Sequence, residues 1–497
     1  MFWSSEKKPS SIGDVDNQDA VPEYHGPDPD DVEVSCPTHT TERKLVNKID
    51  FHVIPFLCIM YLLAFLDRVN IGNANVFGLS KELQIDDGNK YNTALTIFFV
   101  PYIIFEIPSN IMLKKFKPNY WLGGNMFMFG VITMAQGFVK NYSGLLATRF
   151  FLGVFETGMF PGAFYLIGMW YKRTEAQRRY SFFFSSTTLA GAFGGLLASA
   201  IGKMDGIRGY SSWRWVFIIE GLLTVFVSVF FIFWLPTFPE ESKWLKNDEL
   251  AFVKARLRAD QGKSGAERTI TWKGVVRVFK DPKIFVGGFM YLGLIVPAYG
   301  YAYFSPTIIS GYKYSPIQTQ LHSVPPYAAA FALAMIIAYI SDKTQHRFAF
   351  TIFPICVAIA GFGILMGNPP DTKAKYAGLV LVAMGCYAAM PVIVCWFNMN
   401  LGGHHRRSVG SAWQVAFGNI GGFIATYSFV TKEAPRYITG YSISIAFVCL
   451  SGLSCTIYYI MCLIANRKRD KQPVDLGLSE YEKTELGDLS PEYRYLL

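Results

Sequence analysis

The chain has 497 residues, of which 51% are hydrophobic, 16% are aromatic and only 17% are charged. Soluble domains carry about a quarter of charged residues, so this composition excludes an ordinary soluble protein and predicts a polytopic membrane protein. The formal net charge is +9, but the Lys and Arg residues cluster beside apolar segments. Membrane orientation and lipid headgroups account for such clusters, so we expect a lipid bilayer as partner and no nucleic acid.

The residue types that carry enzyme chemistry show no pattern typical of an active site. All eight cysteines except Cys36 fall inside apolar stretches, which indicates buried side chains rather than disulfides or a metal site. The sequence contains no GxxxxGK[ST], HExxH or GxSxG motif. We therefore predict a protein that is not an enzyme, with no cofactor, no metal and no catalytic residue.

The apolar segments follow one another along the chain with regular polar interruptions. Twelve of them are long enough to cross about 30 Å of hydrocarbon. They lie near 51–70, 91–113, 119–138, 143–170, 179–202, 213–235, 284–308, 322–341, 348–367, 376–397, 408–430 and 441–465. The fold class predicted is an all-α polytopic membrane protein with twelve transmembrane helices in two six-helix bundles.

Polar segments divide the chain into five parts. A disordered cytosolic tail is expected at 1–48, and a basic cytosolic linker with a short amphipathic helix around Asn247–Arg258 is expected at 237–283. The remaining parts are an N-terminal bundle at 49–236, a C-terminal bundle at 284–465 and a cytosolic tail at 466–497. The distribution of Lys and Arg predicts that both termini are cytosolic. The sequon at Asn141 abuts the membrane, so we expect it to stay unglycosylated.

The stretch ATRFFLGVFETGMFPG, residues 147–162, places two charges inside the predicted fourth span. Charged side chains at membrane depth cost about 2.5–3.5 kcal/mol each, so they indicate a partner or a watery cavity. Arg149 and Glu156 are seven residues apart, which places them on one helix face but about 10.5 Å apart along the axis. They therefore need partners on another helix. Asp67 and Arg68 in the first span are the obvious candidates, and we expect Asp67 to face Arg149 and Arg68 to reach Glu156.

Other polar residues favour structural roles. We expect Glu106, near the inner end of the second span, to pair with Lys114 or Lys115 at the membrane rim. Arg214 and Glu220 of the sixth span are interpreted as packing residues. His322 lies at the outer start of the eighth span, and His404 and His405 lie in a predicted cytosolic loop; all three are interpreted as solvated side chains.

Several of these stretches together resemble the major facilitator superfamily, and within it the anion:cation symporters of the fungal nicotinate, allantoate and pantothenate permease branch. They are LDRVNIGNA (66–74), EIPSN (106–110), TGMFPG (157–162), WRWVFIIEG (213–221), SDKTQHR (341–347), FGNIGG (417–422), APRYITGYSISIAF (434–447) and SPEYRYL (490–496). The similarity runs from about residue 43 to the end, and the motifs are specific only jointly.

The resemblance implies roles for particular residues. Glu156 and Asp67 match the proton-coupling carboxylates of related symporters, and Arg68 matches the residue that holds the substrate anion. Arg149, Asn419, Gln414 and Tyr299 are further substrate-binding candidates, and Asp342 with Arg347 matches the superfamily's gating latch. The alternative is a static ion network that locks the N-terminal bundle.

The resemblance implies a proton-coupled symporter that imports a small organic anion, with protons as the coupling partner, across a fungal plasma membrane. The predicted seventh span, 284–308, contains no arginine, which favours a monocarboxylate such as nicotinate or a related vitamin acid. The protein is expected to be a monomer. An exporter of an organic acid or secondary metabolite with the same fold is the alternative, and a transport-inactive nutrient sensor is a more distant one.

Overall fold

The computed structural model describes residues 36–86, 88–261, 272–344, 346–402, 404–471 and 493–497. Within these residues the α-helices are, in chain order, α1 (Glu42–Val76), α2 (Leu79–Glu82), α3 (Lys90–Thr96), α4 (Phe99–Lys115), α5 (Pro118–Gln136), α6 (Tyr142–Glu156), α7 (Met159–Trp170), α8 (Arg173–Ile201), α9 (Ser212–Trp234), α10 (Asn247–Gln261), α11 (Trp272–Phe279), α12 (Pro282–Ser310), α13 (Pro316–Thr344), α14 (Arg347–Met366), α15 (Thr372–Met399), α16 (His404–Ser428) and α17 (Ile438–Asp470).

Nine helical segments of the described chain are long and apolar enough to cross a membrane. They are α1, α6 with α7, α8, α9, α12, α13, α14, α15 and α17. The other three predicted spans also fold as helices, namely α3 with α4, α5, and α16, and these are shorter or more polar. The fold is therefore all-α, with twelve spans in two six-helix bundles, as the sequence predicted.

Two of the spans are broken, and the breaks position the polar residues. The second span is interrupted between α3 and α4, and the fourth span is interrupted between α6 and α7. Gly158 adopts a positive φ of 80° at the latter break, a conformation that glycine takes without steric cost. The hydroxyl of Thr157 donates to the backbone carbonyl of Tyr102 at 2.7 Å. The break thus places Glu156 at the very end of α6, against α4.

Helix ends extend beyond the apolar windows. Helix α1 begins at Glu42, nine residues before the predicted span, because Thr41 caps it by accepting a hydrogen bond from the Lys44 amide. Helix α17 continues to Asp470. The hydropathy pattern does not predict these helix ends, because their residues are polar. The predicted tail up to residue 35, linker residues 262–271 and tail residues 472–492 lie outside the described residues.

We call the face that carries the start of α1 and the end of α17 the terminal face. The linker helix α10 packs on this face, and its range includes the helix predicted at Asn247–Arg258. The Lys48 ammonium of α1 lies 2.7 Å from the Glu249 carboxylate of α10. Arg256 of α10 lies 3.0 Å from Glu175 of α8. These ion pairs join the linker helix to the N-terminal bundle.

The last five residues, Tyr493–Leu497, pack on the terminal face of the C-terminal bundle, and we call them the C-terminal strap. The Leu496 carbonyl accepts from the Trp396 indole at 2.8 Å and from the Asn400 amide at 3.0 Å, both at the end of α15. The Leu497 carbonyl accepts from the Arg347 amide at 2.6 Å. The strap therefore ties the end of α15 to the start of α14.

Candidate functional site

The polar centre of the N-terminal bundle is an ion pair between α1 and α6. Arg68 Nε donates to Glu156 Oε1 at 2.7 Å, and Arg68 Nη2 contacts the same oxygen. Arg68 is 3% exposed and Glu156 is fully buried. The predicted contact between Arg68 and Glu156 is thus present. Within the described residues, the second Glu156 oxygen, Oε2, has no hydrogen-bond partner.

Aromatic side chains enclose the Arg68 guanidinium. Its central carbon lies 4.9 Å from the ring centre of Tyr102, 5.0 Å from that of Phe98 and 5.9 Å from that of Tyr299. Such contacts stabilise a desolvated cation. Arg68 Nη1 also donates to the Tyr299 hydroxyl. Because Tyr299 belongs to α12, this bond crosses from the N-terminal to the C-terminal bundle.

Arg149 binds backbone rather than an acid. Its Nη1 donates to the Arg68 carbonyl at 3.1 Å and its Nε donates to the Ala94 carbonyl at 3.4 Å. The expectation that Asp67 faces Arg149 is therefore wrong. Successive residues of a helix project about 100° apart, so once Arg68 points to Glu156, Asp67 cannot point to the same helix. Arg149 instead holds α1 and α3 in place around the ion pair.

Asp67 lies inside the N-terminal bundle, among α1, α5 and α9. Its carboxylate faces the hydroxyls of Thr133 and Thr224, with the Glu220 carboxyl close by. All four side chains are fully buried. Among the residues that the structure describes, neither Asp67 oxygen accepts a hydrogen bond of normal geometry. Asp67 and Glu156 therefore occupy separate environments, although they remain near enough to interact electrostatically.

Glu106 is a residue that the sequence interpretation misplaced. It is 5% exposed and faces the Asn419 side chain of α16, with Arg68 also within electrostatic range. Within the described residues, Glu106 forms no ion pair with Lys115 at the rim, and the Lys114 side chain lies outside them. Glu106 precedes Lys114 by eight residues, which is about 12 Å along a helix. This spacing in the sequence already indicates that the rim lysines lie too far from Glu106 to pair with it.

Asn419 is therefore at the bundle interface, whereas Gln414 is not. Gln414 Nε2 donates to the Gly287 carbonyl at 3.3 Å, and its Oε1 accepts from Asn398 at 3.4 Å. Both contacts lie within the C-terminal bundle, between α12, α15 and α16. The structure does not bring Gln414 to the Arg68 cluster, so its amide contributes to packing of the C-terminal bundle.

A small cavity adjoins Tyr299 between the two bundles. The N-terminal bundle contributes four of its lining residues, and the C-terminal bundle contributes the others. The lining residues are Tyr61, Phe65, Phe184, Thr187, Tyr291, Ile295, Ala298, Tyr299, Tyr387 and Met390. Six of the ten are aromatic, so the walls suit a flat ring, and Arg68 beyond Tyr299 suits a carboxylate.

The predicted latch residues meet on the terminal face. Arg347 Nη1 lies 2.9 Å from Asp342 Oδ1, and Arg347 also donates to the Ser341 hydroxyl at 2.7 Å. Arg178 of the N-terminal bundle approaches Asp342 at 3.8 Å. On the opposite face, the Asn92 amide donates to the Phe429 carbonyl at 3.1 Å, and Thr96 bonds to Thr426 at 2.7 Å. The two bundles thus contact each other on both sides of the cavity.

Two helical bundles that meet around a small aromatic cavity and a buried ion pair are typical of a multi-pass membrane transporter. Residues 57–426 match the model of the Major Facilitator Superfamily. The chain therefore belongs to the major facilitator superfamily, whose members are transporters rather than enzymes.

Relatives and solved structures agree with this family. The chain is 32% identical to the MFS-type transporter cnsO of Penicillium expansum, over 92% of this chain and 91% of that protein. It is 29% identical to the high-affinity nicotinic acid transporter of Saccharomyces cerevisiae, over 94% of this chain and 87% of that one. The proton:xylose symporter XylE has a TM-score of 0.65 at 12% identity, over 83% of this chain and 96% of its own, a likeness of fold alone.

Proposed function

We propose that the protein is a proton-coupled symporter that imports a small monocarboxylate, of which nicotinate is the leading candidate, across the plasma membrane. The observation that carries the proposal is the buried Arg68, which is bound to Glu156 of its own bundle and to Tyr299 of the other. The nicotinic acid transporter among the relatives supports the choice of substrate. The terminal face, with both ends of the membrane domain, lies in the cytosol, and the monomer is the functional unit.

Competition for one guanidinium couples proton to anion. A proton on Glu156 Oε2 neutralises this acid and weakens its hold on Arg68, because a neutral carboxyl binds a guanidinium less strongly than a carboxylate. Arg68 is then able to bind the substrate carboxylate with its planar set of donors. When the anion leaves, Glu156 regains Arg68 by losing its proton. Anion and proton are therefore released together.

The other site residues assist this exchange. Tyr299 and the aromatic cavity walls contact the substrate ring, while Asn419 and Glu106 approach it from the interface between α16 and α4. Arg149 positions Arg68 through the α1 backbone. Asp67 is a second proton site, Asp342 with Arg347 gates the terminal face, and Gln414 takes no direct part in binding.

The test is uptake of radiolabelled nicotinate by proteoliposomes that contain the full-length protein, with an imposed inward proton gradient. Accumulation that collapses with a protonophore is expected. A panel of unlabelled monocarboxylates and dicarboxylates then defines the substrate class by competition. Two results would overturn the proposal. Accumulation driven only by an outward-directed proton gradient would indicate an exporter. Absence of accumulation with every carboxylate of the panel would exclude this substrate class.

A further inference from the structure

A fully buried polar cluster lies between α1, α5 and α9, away from the Arg68–Glu156 pair. Its members are Asp67, Asn70, Thr133, Gln136, Glu220 and Thr224. Glu220 is bound by the Asn70 amide, which donates to its Oε2. Asn70 in turn accepts a hydrogen bond from Asn73 at 3.0 Å, which fixes the orientation of the Asn70 side chain. The cluster therefore contains two carboxyl groups and one oriented amide donor.

Most polar atoms of this cluster have no hydrogen-bond partner within the described chain. They include Oε1 of Glu220 and both amide atoms of Gln136, while the Asp67 oxygens and the two threonine hydroxyls face one another without a hydrogen bond of normal geometry. Buried polar atoms are nearly always paired, so a concentration of unpaired ones indicates bound protons or water. Asp67 and Asn70 of α1, Thr133 of α5, and Glu220 and Thr224 of α9 interact with one another across three helices, which makes the cluster a defined site rather than scattered defects.

The charges around the cluster do not neutralise two carboxylates. Among the described residues, the charged groups that act on this pair are acids: Glu156 acts on Asp67, and Asp67 acts on Glu220. Arg68 is turned to Glu156, and Arg149 donates to the carbonyls of Arg68 and Ala94. Helix α5 contributes only uncharged groups to the cluster.

Two carboxylates in one buried site cannot both stay ionised, because their repulsion adds to the cost of desolvation. We propose that Asp67 and Glu220 form a proton-binding carboxyl pair, a site distinct from the Arg68–Glu156 exchange site. The two Thr hydroxyls and the Asn70 amide stabilise the negative charge that remains when a single proton is shared. Glu220 is thereby part of the coupling apparatus rather than a packing residue.

The pair is connected to the anion site through α1. Asp67 and Arg68 are consecutive, and the Arg68 carbonyl is held by Arg149. A change of charge on Asp67 therefore acts on the helix segment that positions the Arg68 guanidinium. This role in transport rests on the proposed proton symport, whereas proton binding by the pair does not.

Infrared difference spectroscopy of the full-length protein in lipid nanodiscs tests the pair directly. In sodium-free buffer at neutral pH, we expect the carbonyl band of a protonated carboxylic acid, with an isotope shift in deuterium oxide. The band should persist in Glu156→Gln and in the control Glu240→Gln, which alters an exposed acid. It should be lost in the double variant Asp67→Asn with Glu220→Gln. Thermal unfolding verifies that each variant is folded.

The single variant Glu220→Gln keeps the test decisive if the double variant does not fold, because it should shift the band frequency. A band unchanged by Glu220→Gln, or retained in the double variant, would overturn the proposal. So would loss of the wild-type band when sodium chloride replaces choline chloride, since that result assigns the site to sodium.

Uptake of nicotinate across a pH series separates this inference from the proposed function. We expect Glu220→Gln to shift the pH dependence of uptake while nicotinate still competes for binding. If the band behaves as expected but no variant or wild type shows proton-dependent uptake, the carboxyl pair stands and the symport proposal fails. If wild-type uptake depends on protons but Glu220→Gln leaves its pH profile unchanged, the carboxyl pair takes no part in coupling proton movement to transport.

Discussion

Arg68 has three contacts that a shorter or neutral side chain cannot reproduce: two donors to Glu156 and one to Tyr299. A lysine at this position retains the charge but loses the planar arrangement of donors, and alanine loses both. Hydrogen bonds to charged groups are worth about 1.5–3 kcal/mol each. In the proposed function, Arg68 therefore contributes to anion binding through geometry as well as charge.

We expect Arg68→Ala to abolish measurable nicotinate binding and Arg68→Lys to weaken it about 10- to 100-fold, the equivalent of about one such hydrogen bond. Equilibrium binding to the purified protein by scintillation proximity measures this loss. Surface delivery and thermal unfolding are the controls for folding. Undiminished affinity in Arg68→Ala would place the anion site elsewhere.

Glu156→Gln removes a titratable group while preserving side-chain size. Gln cannot alternate between a form that holds Arg68 and one that releases it, so concentrative uptake should be lost. Exchange of preloaded for external nicotinate should continue, since exchange needs no net proton movement. The two assays are run on the same proteoliposomes, and concentrative uptake at the wild-type level by this variant contradicts the coupling scheme.

Among the elements, α6 approaches the start of α4 closely near the site. A Cβ atom on Gly153 would lie 2.2 Å from the Phe98 carbonyl oxygen, and the backbone cannot yield as a side chain can. Phe98 also covers both Arg68 and Arg149. Glycine at this position therefore sets the distance at which the two arginines meet their partners.

We expect Gly153→Ala to cost about 1–3 kcal/mol through overpacking and to displace α6. Thermal unfolding should shift to lower temperature, and uptake should fall with it. Gly124→Ala on α5 is the matched control, because a Cβ atom there meets nothing within 4 Å. Equal behaviour of the two variants would show that the close approach at Gly153 is dispensable.

The docking of α10 depends on an acid outside the membrane. Burial raises the pKa of Glu249, but hydrogen bonds from the Lys48 ammonium and the Lys246 amide outweigh it and hold this pKa below its ordinary value of 4.5. A lowered folded-state pKa means that the stabilisation is complete above pH 4.5 and is lost as the pH falls through the folded value.

We therefore expect α10 to detach progressively at pH values below about 4.5, detected as faster amide hydrogen exchange in residues 247–257. Glu249→Gln should show weaker protection already at neutral pH and a smaller dependence on acid. Asp248→Asn, at a half-exposed neighbour, is the control. Acid-independent protection of the wild-type helix would exclude this role for Glu249.

For the whole molecule, the sequence predicted the twelve helices and the Arg68–Glu156 contact, since membrane depth can be counted along each span. It could not predict the rotation of α1, which decides whether Asp67 or Arg68 faces α6. It also missed the Glu106–Asn419 contact and the C-terminal strap. Both depend on packing between segments that are far apart in the chain, which no local pattern records.

Closure of the terminal face is a property of both bundles together. Asp342 binds Arg347 within the C-terminal bundle and approaches Arg178 of the other. We expect Asp342→Asn to slow nicotinate uptake about 3- to 10-fold, or roughly 1 kcal/mol, because a partly exposed ion pair contributes little more. Binding should be retained.

Spin-label distances across the terminal face should shift toward longer values in Asp342→Asn. The control Asp470→Asn alters an exposed pair with Arg494, which does not join the bundles. If both variants transport at the wild-type rate with unchanged distances, Asp342 has no part in gating.

In the proposed function, the bond from Arg68 to Tyr299 means that one guanidinium contacts both the substrate anion and the opposite half of the protein. Part of the free energy of ligand binding then changes the arrangement of the two bundles. The measured affinity is therefore lower than the protein–ligand contacts alone would give. Affinity and turnover should then diverge across a series of aromatic acids. Compounds that fill the site but keep the two bundles apart should bind tightly and inhibit transport. Some ligands that bind more weakly should be transported faster.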